Sequence, residues 1–459
     1  MIKLPVPLVG DGTLVPCIDG TARPYVALDA AASTGALETV LERVEAFLPS
    51  YSSVHRGAGQ RSQLTTKAYE DARDAALSFA GRDGRDDIAI MCRNTTEAMN
   101  HLAYQLRLAP DDTVVTTVVE HHANLLPWSR AAKCRYVECR PDGTFTAADV
   151  EAALDGSPRP RLLAVTAASN ITGWLPPMDE MLEAAHRRKI PVAVDGAQLA
   201  PHRPLPSDAE FIAWSGHKMY APFGTGVLIG PRETFTNGDP FLVGGGAVDL
   251  VELDEVVWTA PPERQEAGSP NVVGAVALHA AMSTLSEIGW AAIIDHDRHI
   301  GELLRDGLAG LAGVHLLGPE PQADTLPLAT FTIDNTPHAL VAARLSAEDG
   351  IGVRHGCFCA HPYLMRLLGL TDDEVRGFRD EVRRGDRTRT PGAVRASAGI
   401  NTTEADISRL IEGVARIASD SPAPVAYFQD PRTGDFFPDQ DSASWYANAR
   451  LGGSSCSPG

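Results

Sequence analysis

Between about residue 70 and residue 300, short apolar runs alternate with longer stretches whose apolar positions recur at helical spacing. The runs are Ile88–Cys92, Thr113–Val119, Leu162–Thr166, Ile190–Val194, Phe211–Trp214 and Gly226–Ile229. Their short length and continuous hydrophobicity predict strands buried on both faces. Thr96–Leu106 and Met178–Arg188 predict helices between them. Such alternation predicts an α/β, doubly wound unit with one mostly parallel sheet. After about residue 280 the texture changes to longer amphipathic helices with a few strands, Ala329–Ile333 among them, which predicts a smaller α+β domain. Two segments read as irregular: Thr371–Gly392, dense in Asp, Glu and Arg, and the stretch from Ser421 with Pro422, Pro424 and Pro431, whose last eight residues are expected to be disordered. The expected division is 1–24, an N-terminal segment contributing to the small domain; 25–285, the large α/β domain; 286–418, the small α+β domain with a cysteine loop (352–362) and a charged insertion (371–392); and 419–459, a C-terminal extension.

At 459 residues, 44% hydrophobic, with a mean hydropathy of -0.10, the chain has an ordinary soluble globular composition and enough length for such a core. Its net charge of -19 and lack of basic clusters argue against nucleic acid or an anionic membrane as partner, and for a small molecule or a protein. No apolar run reaches the roughly 18 residues of a membrane span. Met1–Pro7 lacks the long apolar block of a secretion signal, so a cytoplasmic location is expected. Seven cysteines, at 17, 92, 134, 139, 357, 359 and 456, are odd in number and scattered, which points to reduced thiols rather than a disulfide framework. Lysine is scarce: Lys3, Lys67, Lys133, Lys189 and Lys218 stand against thirty-five arginines, leaving few candidates for lysine chemistry.

In open α/β sheets ligands gather at the carboxyl ends of strands, so the polar residues directly after apolar runs are the candidates. Asp195-Gly196-Ala197-Gln198 follows the run ending at Val194, and Ser215-Gly216-His217-Lys218 follows the run ending at Trp214. An Asp and a Lys on neighbouring strand ends can be a simple ion pair. They can also serve pyridoxal 5′-phosphate (PLP), which needs a carboxylate to keep its ring nitrogen protonated and a lysine amine to hold it as a Schiff base. The wider pattern favours the cofactor. Arg93-Asn94-Thr95-Thr96-Glu97 ends a strand and opens a helix, where N–H groups, hydroxyls and the helix dipole favour a phosphate, although a plain Thr N-cap would look the same. Glu120-His121-His122-Ala123-Asn124 offers an imidazole to stack on the ring. His121 or His122 could equally ligate a metal, but no HxxxH or CxxC spacing accompanies them and no metal is assigned.

Further segments extend the pattern: Val54-His55-Arg56-Gly57, Pro127-Trp128, Ser169-Asn170-Ile171-Thr172-Gly173, Glu266-Ala267-Gly268-Ser269-Pro270-Asn271 and Arg395-Ala396-Ser397. In this order, from about residue 25 to 415, the set resembles the class V aminotransferase-fold enzymes, and within them the Suf-type cysteine desulfurases and selenocysteine lyases. The resemblance implies a PLP-dependent transferase of fold type I, with a mostly parallel seven-stranded sheet in the large domain. It implies that Lys218 holds PLP and shuttles the Cα proton, that Asp195 pairs with the pyridine nitrogen, that Gln198 bonds the ring hydroxyl and that His121 stacks on the ring. Thr95, Thr96, Ser215 and His217 would hold the phosphate, joined by Ser269 from a second subunit, hence a homodimer. Arg395 would bind the substrate carboxylate, with Asn170, Arg354, His55 and Arg56 around the substrate. Asn94 and Ser269 depart mildly from the family's usual Gly and Thr.

PLP alone does not set the reaction, because the protein selects which bond breaks. In Arg354-His355-Gly356-Cys357-Phe358-Cys359-Ala360-His361-Pro362, Cys359 stands where the desulfurases carry, on a mobile loop, the cysteine that attacks substrate sulfur. The resemblance thus implies conversion of L-cysteine to L-alanine with a persulfide on Cys359 that passes to an acceptor. Arg354 and the two loop histidines would favour its thiolate. Other readings of the loop stay open. Cys-x-Cys-x-His could bind a metal, though no fourth ligand is in view, and Cys357 and Cys359 could be buried small hydrophobes. Arg-x-Gly-Cys-Phe-Cys, followed after a charged insertion by Pro391–Arg395, is similar to the desulfurase domain of molybdenum cofactor sulfurases; the residues after Ser421 are too few for the further domain such enzymes carry. The acceptor, a protein among the candidates, is open, as is the role of Cys357. His355 stands where Thr is usual. The insertion is expected to cover the active-site mouth or to receive a partner protein, and Cys456 could relay sulfur or be incidental. Competing functions are a selenocysteine lyase or other PLP-dependent carbon-sulfur lyase, a class V transaminase or epimerase, and a non-catalytic PLP-binding scaffold.

Overall fold

The computed structural model describes residues 3–320 and 323–439, so Cys456 and the terminal residues expected to be disordered lie outside the described residues. Seven strands form the main sheet: β1 Asp87–Cys92, β2 Thr113–Thr117, β3 Lys133–Val137, β4 Leu162–Thr166, β5 Val192–Asp195, β6 Phe211–Ser215 and β7 Gly226–Pro231. Their spatial order is β1-β7-β6-β5-β4-β2-β3. All neighbours are parallel except that β7 runs against both β1 and β6. Six strands coincide with the apolar runs. The seventh, β3, is an edge strand on which only Val137 is buried, so no continuous run marks it. Val114 and Val115 fall into different core clusters on opposite faces of the sheet, as the pleat requires of adjacent residues.

The helices that matter for the site are α1 Gln60–Phe79, α2 Thr95–Gln105, α3 Met178–Arg187, α4 Val272–Ile288, α5 Trp290–Ala309, α6 His338–Asp349, α7 His361–Leu367, α8 Asp372–Arg383 and α9 Glu404–Ala418. Gly289, at φ +87°, lets α4 and α5 meet at an 84° bend and leads the chain into the smaller unit. Among the described residues no single helix is long and apolar enough to cross a membrane. The smaller unit has four antiparallel strands, β8 Val314–Leu317, β9 Leu328–Ile333, β10 Arg354–Gly356 and β11 Ala393–Ser397, in the order β8-β9-β11-β10. Its core joins Phe331, Val341, Leu345, Leu410 and Val414 with Val26 and Leu28 from the N-terminal region.

Among the described residues, both segments read as irregular contain regular elements. In Thr371–Gly392, helix α8 starts at a capping box: the Thr371 hydroxyl accepts from the Glu374 N–H, and the Glu374 carboxylate accepts from the Thr371 N–H. The Thr-x-x-Glu signature is present in the sequence, but the helix buries no residue and so shows no core-facing stripe. Beyond Ser421, β12 Tyr427–Gln429 and β13 Phe436–Pro438 form an antiparallel hairpin. It closes on the insertion through Arg387 N–H to Pro431 O at 2.8 Å and Gln429 Nε2 to Thr388 O at 3.0 Å.

A buried ionic network ties α1 to the sheet. Arg73 bonds Glu70, Glu263 and Glu266 at 2.8–3.1 Å, while Glu266 also accepts from the Tyr69 hydroxyl and, at 2.7 Å, from the Met91 N–H on β1. The Arg73 and Glu266 side chains are only 4% and 5% exposed, so removing the cation strands a buried carboxylate. Arg73→Ala is therefore expected to destabilise the fold by about 3–5 kcal/mol, read as a lower denaturant midpoint at unchanged slope.

Candidate active site

The carboxyl ends of β1, β2, β4, β5 and β6 open into a cavity of about 1040 Å³. Strands β5 and β6 are hydrogen-bonded neighbours with Asp195 opposite Ala213, which puts Asp195 and the turn Gly216–Lys218 on one rim. A Cβ at Gly216 would lie 3.0 Å from the carbonyl oxygens of Ala221 and Thr225, so this turn needs glycine to carry Lys218 into the cavity. Among the described residues the Lys218 amine has no hydrogen-bond partner. Burial pushes its pKa down to about 8 against the pull of Asp195, so a neutral amine is available near neutral pH. Asp195 accepts the Ala197 N–H at 3.0 Å through one oxygen. Burial raises its pKa, the state of a carboxylate that awaits a cationic or N–H partner. Gln198 is fixed by Nε2 donating to Ala31 O at 2.8 Å.

His121 Nδ1 accepts the Ala123 N–H at 3.0 Å, which assigns the proton to Nε2. Burial, with Lys218 nearby, pushes its pKa down to about 3, and the ring lining the cavity is neutral. A network holds this turn from behind: Glu120 accepts from the Thr117 hydroxyl and the Asn124 amide, both at 2.7 Å, and Asn124 Oδ1 accepts from Trp128 Nε1 at 2.9 Å. Burial pushes Glu120 up to about 8 against an ordinary value of 4.5. A carboxyl that keeps its proton in the fold but loses it when unfolded makes stability fall as pH rises from about 4.5 to about 8, by up to ~1.4 kcal/mol per unit. Glu120→Gln is expected to flatten that slope in denaturation measured across this range.

At the N-terminus of α2 Asn94, not a threonine, is the N-cap, accepting the Glu97 N–H at 3.0 Å. The Thr95 hydroxyl and N–H meet Ser215 Oγ at 2.7 and 2.8 Å, so Thr95 orients Ser215 while Thr96 stays exposed at the cavity. His217 also lines the cavity, and burial pushes it down to about 4.

On the opposite wall Arg395 donates to Asn170 O at 2.6 Å and to Asp29 at 3.2 Å, and Asp29 also holds Arg354 at 3.1 Å. The Arg395 guanidinium lies over the Phe358 ring at 4.9 Å. Its Nε and Asn170 Oδ1 are buried without partners among the described residues, unmet groups that an amino-acid substrate would satisfy. Asp29 was not among the residues predicted for the site, yet it follows the apolar Val26–Leu28 and obeys the same rule as Asp195.

The cysteine turn is tied down by Asn170 Nδ2 donating to Phe358 O at 2.7 Å and by the His122 N–H donating to Cys359 O at 2.8 Å. Phe358 and Cys359 are consecutive left-handed residues, at φ +53° and +55°, a strain of about 1–3 kcal/mol each that the two bonds and the Phe358 packing offset. Cys359 is exposed and lines the cavity, which rules out a buried small hydrophobe there; Cys357 is half-buried and burial raises its pKa. The loop histidines do not supply the expected positive charge. Burial lowers the pKa of both His355 and His361, and His361 stacks on His122 at 5.1 Å. The charge at this wall comes from Arg354 and Arg395.

Three predicted residues are not brought to the cavity of this chain. Ser269 is exposed elsewhere, His55 bonds Glu70 at 2.9 Å, and Arg56 donates to Val248 O at 2.5 Å. His55, Glu70 and Glu263 approach one another as metal ligands would, but Arg73 binds both carboxylates and supplies the cation. Among the described residues Cys357, Cys359 and His361 form no ligand cluster. The remaining polar groups suit PLP: a free amine at Lys218, an underused buried carboxylate at Asp195, a neutral flat ring at His121 and a helix N-terminus at the phosphate end.

Residues 26–410 match the family model described as aminotransferase class-V. A probable cysteine desulfurase of Halalkalibacterium halodurans is 34% identical over 405 residues, covering 86% of this chain and 93% of the relative. The cysteine desulfurase of Haloferax volcanii is 34% identical over 356 residues, covering 75% and 83%. Among solved structures, the apo cysteine desulfurase of Thermococcus onnurineus NA1 superposes with a TM-score of 0.77 at 29% identity, covering 86% of this chain and 95% of that one. The cysteine desulfurase CsdA (S-sulfonic acid) of Escherichia coli gives 0.72 at 32% identity with the same coverages. With its sheet order, its cavity and these relatives in agreement, the chain belongs to the aminotransferase class-V family.

Proposed function

We propose that this protein is a PLP-dependent cysteine desulfurase that turns L-cysteine into L-alanine and leaves the sulfur as a persulfide on Cys359. The observation that carries the reading is the exposed Cys359 thiol, presented by a strained turn at the cavity that also holds Lys218 and Arg395. Bound PLP supplies an electron sink for charge developing at the substrate Cα. Lys218 would hold the cofactor and move the proton at Cα. Arg395, with the Asn170 side chain beside it, would position the substrate carboxylate, and neutral His121 would supply a flat surface for the cofactor ring. Cys359 Sγ attacks the substrate sulfur and the Cβ–S bond breaks, so that cysteine and a thiol become alanine and a persulfide. A homodimer in which Ser269 of a second copy completes the phosphate site is part of this proposal, supported by the exposure of Ser269 away from its own cavity.

The test supplies the holoenzyme with L-cysteine, selenocysteine and cystathionine and measures alanine and pyruvate, with mass spectrometry of the Cys359 peptide. Alanine from L-cysteine with one added sulfur on Cys359 is expected. Pyruvate, or faster cleavage of cystathionine, would replace this reading with that of a carbon-sulfur lyase, and alanine from selenocysteine alone with that of a selenocysteine lyase.

A further inference from the structure

The cavity does not end at Cys359. It continues into an outer chamber built by the small unit: the turn before α6 (Thr336–His338), the cysteine turn, the last part of the insertion (Arg387–Gly392) and the β12–β13 hairpin at Gln429, Thr433 and Gly434. At about 1040 Å³ the whole lies at the upper end of what one drug-sized ligand fills, so a cofactor with a cysteine bound to it leaves room for a second molecule.

The charge of this lining runs against that of the chain. The protein carries 59 acidic against 40 basic residues, yet the cavity is lined by Lys218, Arg354, Arg387, Arg389 and Arg395 with Asp195 as its one carboxylate, at the far inner end. Arg354 and Arg395 share Asp29, and Arg389 reaches Glu381 at 3.2 Å. Among the described residues Arg387 meets no carboxylate; its guanidinium donates only to Arg432 O at 3.0 Å. The Thr390 hydroxyl, on the same wall, is buried without a partner. His338 and His355 complete the wall, joined Nδ1 to Nδ1 at 3.3 Å. An arginine with no carboxylate partner beside an unpaired buried hydroxyl in a concave site recognises an oxyanion.

We propose that the outer chamber binds a small anionic sulfur acceptor, a sulfur nucleophile that carries an oxyanion, and that sulfur leaves Cys359 there without a protein acceptor having to enter. This rests on the persulfide reading above. The acceptor's sulfur lone pair attacks the outer sulfur of Cys359–S–SH. The S–S bond breaks, and its electron pair returns to Cys359 Sγ as thiolate. A thiolate RS⁻ becomes the persulfide RS–SH, and sulfite becomes thiosulfate after losing the proton; no outside oxidant or reductant is consumed.

The holoenzyme is given L-cysteine with sulfite, mercaptosuccinate or uncharged 2-mercaptoethanol at varied concentration. Alanine is followed together with thiosulfate or acceptor persulfide, and cysteine-only single turnovers are read for sulfur on Cys359. Saturable turnover at lower concentrations of the two anions than of 2-mercaptoethanol is expected, weakened by added salt. Arg387→Ala combined with Arg389→Ala, both exposed at the rim, is expected to raise the half-saturating anion concentration by about tenfold while Cys359 loads with sulfur as before. Which of sulfite or mercaptosuccinate saturates first identifies the acceptor class. Equal use of charged and uncharged thiols with no effect of the substitutions would overturn the proposal. Loss of Cys359 loading in the variant would overturn it too, by assigning the arginines to the amino-acid substrate. Absence of sulfur on Cys359 in the unaltered enzyme would instead remove the persulfide reading itself.

Discussion

On the proposed reading, Lys218→Ala is expected to lower alanine formation from L-cysteine at least about 10³-fold, because one side chain would both anchor the cofactor and move the proton at Cα. The loss should be chemical rather than structural. Lys218 makes no hydrogen bond among the described residues, and its turn is set by Gly216, so the melting temperature should change little. The absorbance of a lysine-bound imine should vanish with it. Lys218→Arg is the informative companion: it keeps a cation beside Asp195 but offers no amine of adjustable protonation, and it should be as inactive as the alanine variant. Retained turnover in either variant would move the catalytic lysine elsewhere, and the only other choices are Lys3, Lys67, Lys133 and Lys189.

The second large effect falls on Cys359. Cys359→Ser is expected to cut cysteine turnover by at least about 10²-fold while leaving cofactor binding intact, because the hydroxyl is a far weaker nucleophile toward sulfur and the residue sits on the wall across from Lys218 and Asp195. Cofactor absorbance and the affinity for a non-reactive amino acid should stay near those of the parent enzyme. The substitution also keeps the left-handed turn, so a change in fold is not expected. If Cys359→Ser still makes alanine from L-cysteine at the parent rate, the persulfide mechanism fails. A Cys357→Ser variant measured alongside separates the half-buried thiol from the exposed one.

The two variants divide the site into halves with different origins in the chain. Lys218, Asp195, Gln198, His121 and Ser215 all stand directly after apolar runs, and a parallel sheet brings the ends of such runs to one edge whatever the loops do. That half was legible because sequence adjacency and spatial adjacency coincide: β5 and β6 pair with Asp195 opposite Ala213, so reading strand ends is the same act as reading the rim. Asp29 obeyed the same rule but sat outside the stretch in which strands alternate with helices. The N-cap role of Asn94 and the neutrality of His355 and His361 were not legible, since they depend on which donor lies within reach and on how much surrounding protein excludes water.

The sequence by itself determined the α/β sheet and the polar strand ends that line the cavity, because these follow from periodicity and from motifs a few residues long, while the resemblance to the desulfurases singled out Cys359 as the candidate nucleophile. The resemblance named Asn170, Arg354, Arg395 and Cys359, but only the tertiary structure showed how Asp29 and Phe358 join them into the other wall. Asp29, Asn170 and the pair Phe358 and Arg395 come from three segments more than a hundred residues apart, and their bonds hold Cys359 at the cavity. It also showed a helix in the charged insertion and a hairpin in the described part of the C-terminal extension, both of which read as irregular, with the hairpin bonded to the segment after the helix at Arg387 and Thr388. The reason is that helix α8 and the β12–β13 hairpin are placed by local capping and by contacts such as Arg387 to Pro431, not by an apolar stripe that a sequence displays. Their joint product, a basic chamber in an acidic protein, exists only where those distant segments meet.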